Sequence, residues 1–256
     1  MKVTILGCGP SSGVPTIIGD WGRCDPTNPK NRRRRPSIVV QRDNYTILVD
    51  TSPDLREQLL SSGIQEIDSV LYTHEHADHV MGIDDLRAVQ RHMGRNIDVY
   101  AVPEVLEGLR RRFGYLFSDI QDPEDLYRPI LDSRIIDGPL SIGPFETIQP
   151  VDQDHGICAS LGFRFGKFAY STDVVDFPDG SLEQLIGIDT WIVDCLHNRG
   201  KHPTHANLEC TLQWIDFVKP RRAILTHMNF QADFDDMARS CPVGVEPAYD
   251  GMVIEV

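Results

Sequence analysis

Apolar residues recur along this chain in short runs that stop on a polar residue. Lys2-Val-Thr-Ile-Leu6, Ser69-Val-Leu-Tyr-Thr73, Val99-Tyr-Ala-Val102, Thr190-Trp-Ile-Val-Asp-Cys195 and Met252-Val-Ile-Glu-Val256 read as buried strands. Ser37–Gln41 and Tyr45–Asp50 predict a hairpin turning at Arg42–Asn44, and Gly162–Gly166 with Lys167–Thr172 a second one. Phe145–Val151 and Arg221–His227 add two more strands. Between the strands the spacing turns helical. Helices are expected from Ser52 or Pro53 to about Gly63, from Val80 to Gln90, from Pro103 (a proline in the first helical position) to Arg112, and from Ala206 to Val218. Strand and helix thus alternate through both halves, which predicts an α/β protein. Two stretches break the pattern. Residues 19–36 form a long irregular loop, and residues 113–144 are weakly patterned, with Phe113–Phe117 most apolar; a lid or a homodimer contact is expected there.

The chemistry gathers where strands run out. Tyr72-Thr-His-Glu-His-Ala-Asp-His-Val80 carries His74, His76, Asp78 and His79 within six residues, between a strand and a helix. Histidines two apart on extended backbone share a side, so His74 and His76 can converge on one ion. Asp78 and His79 lie past the bend and are placed to serve a second. Imidazole with carboxylate suits zinc, manganese or iron alike. Other strand ends carry Asp50, His155, Asp173, Asp194 and His227, with Asp194 the weaker candidate.

Composition narrows the class. In 256 residues, 41% hydrophobic and 25% charged, there is enough material for a sizeable core, and a single domain spanning 1–256 is expected. No apolar run approaches the ~20 residues that span a bilayer, and the start lacks a signal-peptide layout. The six cysteines are scattered as in reduced cytoplasmic proteins, without a CxxC pair. A net charge of −13 opposes DNA binding, which rests on neutralising phosphates, yet leaves room for a small phosphorylated substrate held locally. Gly7–Pro15 is a turn rather than a phosphate loop, since no Gly-Lys-Ser/Thr follows. Arg32–Arg35 read as salt-bridge donors or, because guanidinium forks suit phosphate oxygens, as an anion-facing group.

The pattern H-x-H-x-D-H after a strand resembles the metallo-β-lactamase superfamily, and the resemblance covers essentially the whole chain. It implies a four-layer αβ/βα sandwich and two divalent metal ions, Mn2+ or Zn2+. His74, His76 and His155 would hold one ion and Asp78, His79 and His227 the other, with Asp173 bridging. Asp50 would stand behind them on a ligand's spare N–H, fixing its tautomer. His205, in the loop His197–His205, corresponds to a substrate-facing position outside the metal shell; Asp78 and His205 are the candidate catalytic residues. His202 is a weaker substrate contact, and His197 is expected to be exposed. The turn after the first strand, with Ser12, would line the cleft. Trp21-Gly-x-Cys-Asp-Pro26 and the arginine run resemble the PhnP-type branch, the phosphoribosyl cyclic phosphodiesterases, which makes Arg34 a candidate substrate contact. Members of that branch carry several cysteines in this loop, holding a structural zinc; only Cys24 stands there in this chain, so no structural zinc is expected. Histidine at position 76, where the oxygen-handling di-iron branch has glutamate, favours hydrolysis. The reaction implied is hydrolysis of a small ribose cyclic phosphate or nucleotide-like diester by metal-activated water. RNA processing of the tRNA 3′-end type, or nucleotide binding or sensing without turnover, are the alternatives; thioester or β-lactam cleavage ranks lower.

Overall fold

The structure is a computed structural model describing residues 1–117 and 128–256. The first half supplies strands β1 (Lys2–Gly7), β2 (Ser37–Arg42), β3 (Tyr45–Val49), β4 (Ser69–Leu71), β5 (Ile97–Ala101) and β6 (Leu131–Ile135). The second supplies β7 (Leu140–Ile142), β8 (Phe145–Asp154), β9 (Ala159–Phe165), β10 (Phe168–Ser171), β11 (Thr190–Asp194), β12 (Arg222–Thr226), β13 (Val245–Pro247) and β14 (Val253–Glu255). The helices are α1 (Leu55–Ser62), α2 (Ala77–Val80), α3 (Leu86–Met93), α4 (Pro103–Phe113), α5 (Leu208–Val218) and α6 (Phe234–Ser240).

Two seven-stranded sheets result, ordered β14-β1-β2-β3-β4-β5-β6 and β13-β12-β11-β10-β9-β8-β7. In each, antiparallel pairing gives way to parallel pairing, at β3 in one sheet and β10 in the other. Alternation along the strands builds two cores at once, because successive side chains leave opposite faces. Val3, Ile5, Ile38, Val40, Ile47 and Val49 share one apolar cluster with Val151, Phe163 and Phe168 of the opposite sheet. Their neighbours Leu6, Val39 and Leu48 turn the other way, under Leu55, Leu86 and Leu106 of α1, α3 and α4. On the second sheet, Trp214 of α5 meets Phe177 edge to face at 4.9 Å. Helices, sheet, sheet and helices make the αβ/βα sandwich.

Two expectations need correction. The helix expected from Val80 to Gln90 is broken into α2, a 3₁₀ turn at Ile83–Asp85 and α3. Gly82 is the reason. Its N–H bonds to Thr51 O, and a β-carbon there would lie 2.0 Å from Ser52 O, so the chain turns in against the start of α1. The weakly patterned stretch 113–144 contains β6 and β7. β6 is an edge strand with only Leu131 buried, which explains its faint signal. Residues 118–127 of the expected lid or dimer contact lie outside the described residues. Among the described residues no helix is long and apolar enough to cross a membrane.

Candidate metal centre

The topology brings six strand ends to one rim. β3 runs out at Asp50, β4 at the Thr73–His79 turn, β8 at His155, β10 at Asp173, β11 at Asp194 and β12 at His227. Asp50 and His227 follow directly on a strand and Asp173 comes one residue later; the three adopt left-handed backbone, with φ 64° at Asp50, 55° at Asp173 and 59° at His227. Such backbone in non-glycine residues is costly and concentrates at functional sites. Here it turns each side chain off its strand towards the common centre. Hydrogen bonds fasten the rim: Thr51 N–H to His79 O, Leu161 N–H to Thr73 O across the two sheets, and Met228 N–H to Cys8 O.

Two donor groups meet there. The ligating atoms of His74, His76 and His155 lie within 4.8 Å of one another, and so do those of Asp78, His79, Asp173 and His227. Asp173 stands between them. Its Oδ1 is 3.4 Å from His155 Nε2 and 3.9 Å from His74 Nε2, whereas its Oδ2 is 3.1 Å from His79 Nε2 and 3.3 Å from His227 Nε2. Behind His79, Asp50 Oδ2 accepts the Nδ1–H at 2.7 Å.

Apart from the half-buried His76, these groups are buried yet incompletely satisfied. Nε2 of His74 and of His79, and both ring nitrogens of His227, have no hydrogen-bond partner. Buried polar atoms are seldom left so, and here they face one another. Electrostatics point the same way. Burial drives the His74 and His155 imidazoles towards the neutral, ligating form. For His79 burial acts the same way, but Asp173, Asp78 and Asp50 outweigh it and hold the ring well above the ordinary imidazole range. Burial is again outweighed at His227, chiefly by Asp173, and its pKa is pushed up to about 9. Asp173 and Asp78 are held well below the usual carboxylate range; burial opposes this, and the surrounding histidines prevail. Left alone, the carboxylates are balanced only by protonating histidines. Divalent cations supply that positive charge with ligand nitrogens free, so the donor set fits the metals that its pattern implies.

The remaining candidates fall on either side of this centre. His205 stacks on His227 with ring centroids 4.5 Å apart, its Nε2 4.0 Å from Asp173 Oδ1, and its Nδ1 2.8 Å from Asp194 Oδ2. Asp194, ranked low from sequence, is fully buried and holds that imidazole; it ended an apolar strand as Asp50 and Asp173 do, so its signal was as good as theirs. His202 lies beside His205 at 5.3 Å and shares a cavity of about 330 Å³ with Lys201, Asn207 and Gln213. His197 is buried, contrary to expectation, with its carbonyl accepting Leu208 N–H at the start of α5. Ser12 is exposed, and its hydroxyl bonds to Gly13 O. Arg34 bonds to Asp250 through both N–H and Nε, and to Ser61 through Nη1; none of these partners belongs to the histidine cluster. Cys24 is buried against Arg33 Nη1 and Asn229 O. Cys158, not singled out from sequence, places its thiol 3.8 Å from His76 Nε2.

With this geometry in hand, kinship is direct: the chain belongs to the β-lactamase superfamily, the Beta-lactamase superfamily domain family matching residues 45–228. Within it the likeness is to the PhnP branch. The crystal structure of a new diphosphatase from the PhnP family superposes with a TM-score of 0.90 at 34% identity, over 99% of this chain and 96% of that one. An octanoyltransferase of Porphyromonas gingivalis is 32% identical over 254 residues, 98% of this chain but 51% of that protein. A ribonuclease Z of Bradyrhizobium is 33% identical over 143 residues, 54% of this chain and 46% of its own. The chain thus spans about half the length of these curated relatives.

Proposed function

We propose that this chain is a two-metal phosphodiesterase of the cytoplasm, acting on a small ribose cyclic phosphate or nucleotide-like diester. The observation that carries the reading is Asp173, one buried carboxylate turned with one oxygen towards each of two donor clusters. His74, His76 and His155 would hold one cation, and Asp78, His79 and His227 the other. Bound there, manganese or zinc ions would lower the pKa of a water to near neutrality and neutralise phosphoryl oxygens. The chain's own part in proton movement falls to His205. Its Nδ1 is fixed on Asp194, so Nε2 is the atom left to deliver a proton to the departing alkoxide oxygen. The cavity beside it, with Lys201 and His202, suits the polar group that leaves. Likeness to the PhnP-family diphosphatase supports phosphoryl chemistry as the class.

RNA 3′-end processing is the second reading, favoured by the identity to ribonuclease Z. A net charge of −13 opposes it, because RNA affinity rests on cationic contacts to phosphates. The test is hydrolysis of an aryl phosphodiester by protein stripped of metal and reloaded with manganese or zinc, beside Asp173→Ala. Turnover needing both metal and Asp173 supports the proposal, and ribose cyclic phosphates and a precursor tRNA then compete as substrates. Undiminished turnover by Asp173→Ala would sink it.

A further inference from the structure

We infer that Thr73 is a positioning residue that couples the two cation sites through a single hydroxyl. The argument is a count of protons. A threonine hydroxyl has one hydrogen to donate and can accept others. Thr73 Oγ1 lies 2.9 Å from Asp50 Oδ2 and 2.9 Å from His74 Nδ1. A carboxylate only accepts, so the hydroxyl hydrogen goes to Asp50. Oγ1 must then accept from His74, which places that ring's proton on Nδ1. The same Asp50 Oδ2 takes the Nδ1–H of His79 at 2.7 Å, and Asp50 Oδ1 takes the Thr73 N–H at 2.9 Å. One continuous chain results, from His74 through Thr73 to Asp50 and back to His79.

Its ends are ligand candidates of different clusters. In both rings Nδ1 is engaged by this chain of bonds, and Nε2, on the far side, makes no hydrogen bond. Thr73 and Asp50 are themselves buried, so water does not replace either bond. Seating a cation on His74 polarises its Nδ1–H, tightens the bond to Thr73 and thereby orients Asp50 behind His79. Filling one site prepares the other.

This inference rests on the two-metal reading, and metal binding tests it without turnover. Titrating metal-stripped wild type with zinc in a calorimeter should give two sites with positive coupling. Thr73→Val keeps the shape but removes the hydroxyl. It should weaken zinc at the His74 site by roughly 10–100-fold, as loss of a partner behind a metal ligand does, and abolish the coupling. Thr73→Ser, which keeps the hydroxyl, should restore both; a purely steric role would not distinguish the pair in this way. Should Thr73→Val fail to fold, the wild type still decides. In the zinc-loaded protein ¹⁵N NMR must show His74 and His79 as Nδ1–H tautomers with slowly exchanging protons. Unchanged affinities in Thr73→Val, or an Nε2–H tautomer at His74, overturn the coupling while leaving the diesterase intact. A wild type that binds fewer than two ions overturns both.

Discussion

The strand-end turn Thr73–Val80 and the arginine run Arg32–Arg35 are both dense in polar groups, and the fold treats them differently. At the turn, polar groups are buried and left partly unsatisfied: His74 and His79 direct bare Nε2 atoms at the centre. In the run, each arginine is given a partner, although Nε of Arg33 and of Arg35 is left without one. Arg33, only 2% exposed, bonds to Asn31, Asn229 O and Ala232 O; Arg34 takes Asp250 and Ser61, Arg35 takes Asp54, and Arg32 lies over Trp21. Arg33 and Arg34 therefore fasten the long loop to the C-terminal segments, and Arg35 ties it to the start of α1. Polar density alone does not mark a site. What marks it is polar density whose hydrogen-bonding capacity converges and stays unused, since a buried group without a partner is costly unless something else fills the gap.

The comparison can be broken by substitutions on either side. Asp173→Ala removes the carboxylate common to both clusters and should cut diester turnover by at least about 10³-fold, with bound metal falling below two ions per chain by mass spectrometry. Next comes His205→Ala. If Nε2 protonates the leaving oxygen, the loss should reach about 10²-fold on an alkyl ester and be much smaller on an aryl ester, whose leaving group departs unprotonated. Equal losses on the two esters would reduce His205 to a binding residue.

Across the comparison, Arg34→Ala should act on stability. It leaves the Asp250 carboxylate with the backbone N–H groups of Cys8 and Arg34 and the Cys8 thiol but takes away its ion pair, at a cost of about 1–3 kcal/mol in urea unfolding, with kcat/KM nearly unchanged. A large fall in kcat/KM at constant stability would return Arg34 to the substrate. The smallest effect concerns Asp233, which caps α6 and accepts from Asn31 and from Asp25 N–H. Burial opposes its ionisation, but those donors hold its carboxyl below the ordinary range. A depressed folded pKa means a contribution fully present above the unfolded value of about 4 and lost as pH falls through the folded one. Asp233→Ala should therefore cost about 1 kcal/mol at pH 7, and progressively less below pH 4. A gap independent of pH would show that the carboxylate's charge is immaterial.

Much of this was legible in the order of residues. Period-two alternation fixed which way Val3, Ile5 and Leu6 would face, because neighbouring side chains of a strand cannot leave by the same side. Strand ends were visible as apolar runs halted by Asp50, His155, Asp173 and His227. Gly82 was harder to read: a helical spacing continues through it, and only the proximity of Ser52 O makes the break unavoidable.

What the chain order could not supply was pairing at a distance. Asp50 and His79 are 29 residues apart, His205 and Asp194 11, and Arg34 and Asp250 216. A strand end announces a polar side chain without saying which others will face it. That is decided by sheet order and register, and by the left-handed backbone that swings Asp50, Asp173 and His227 off their strands. Local sequence therefore determined which groups are available for chemistry. Tertiary structure decided which are satisfied by one another and which are left to bind something else, because hydrogen-bond satisfaction belongs to the folded neighbourhood and not to the residue.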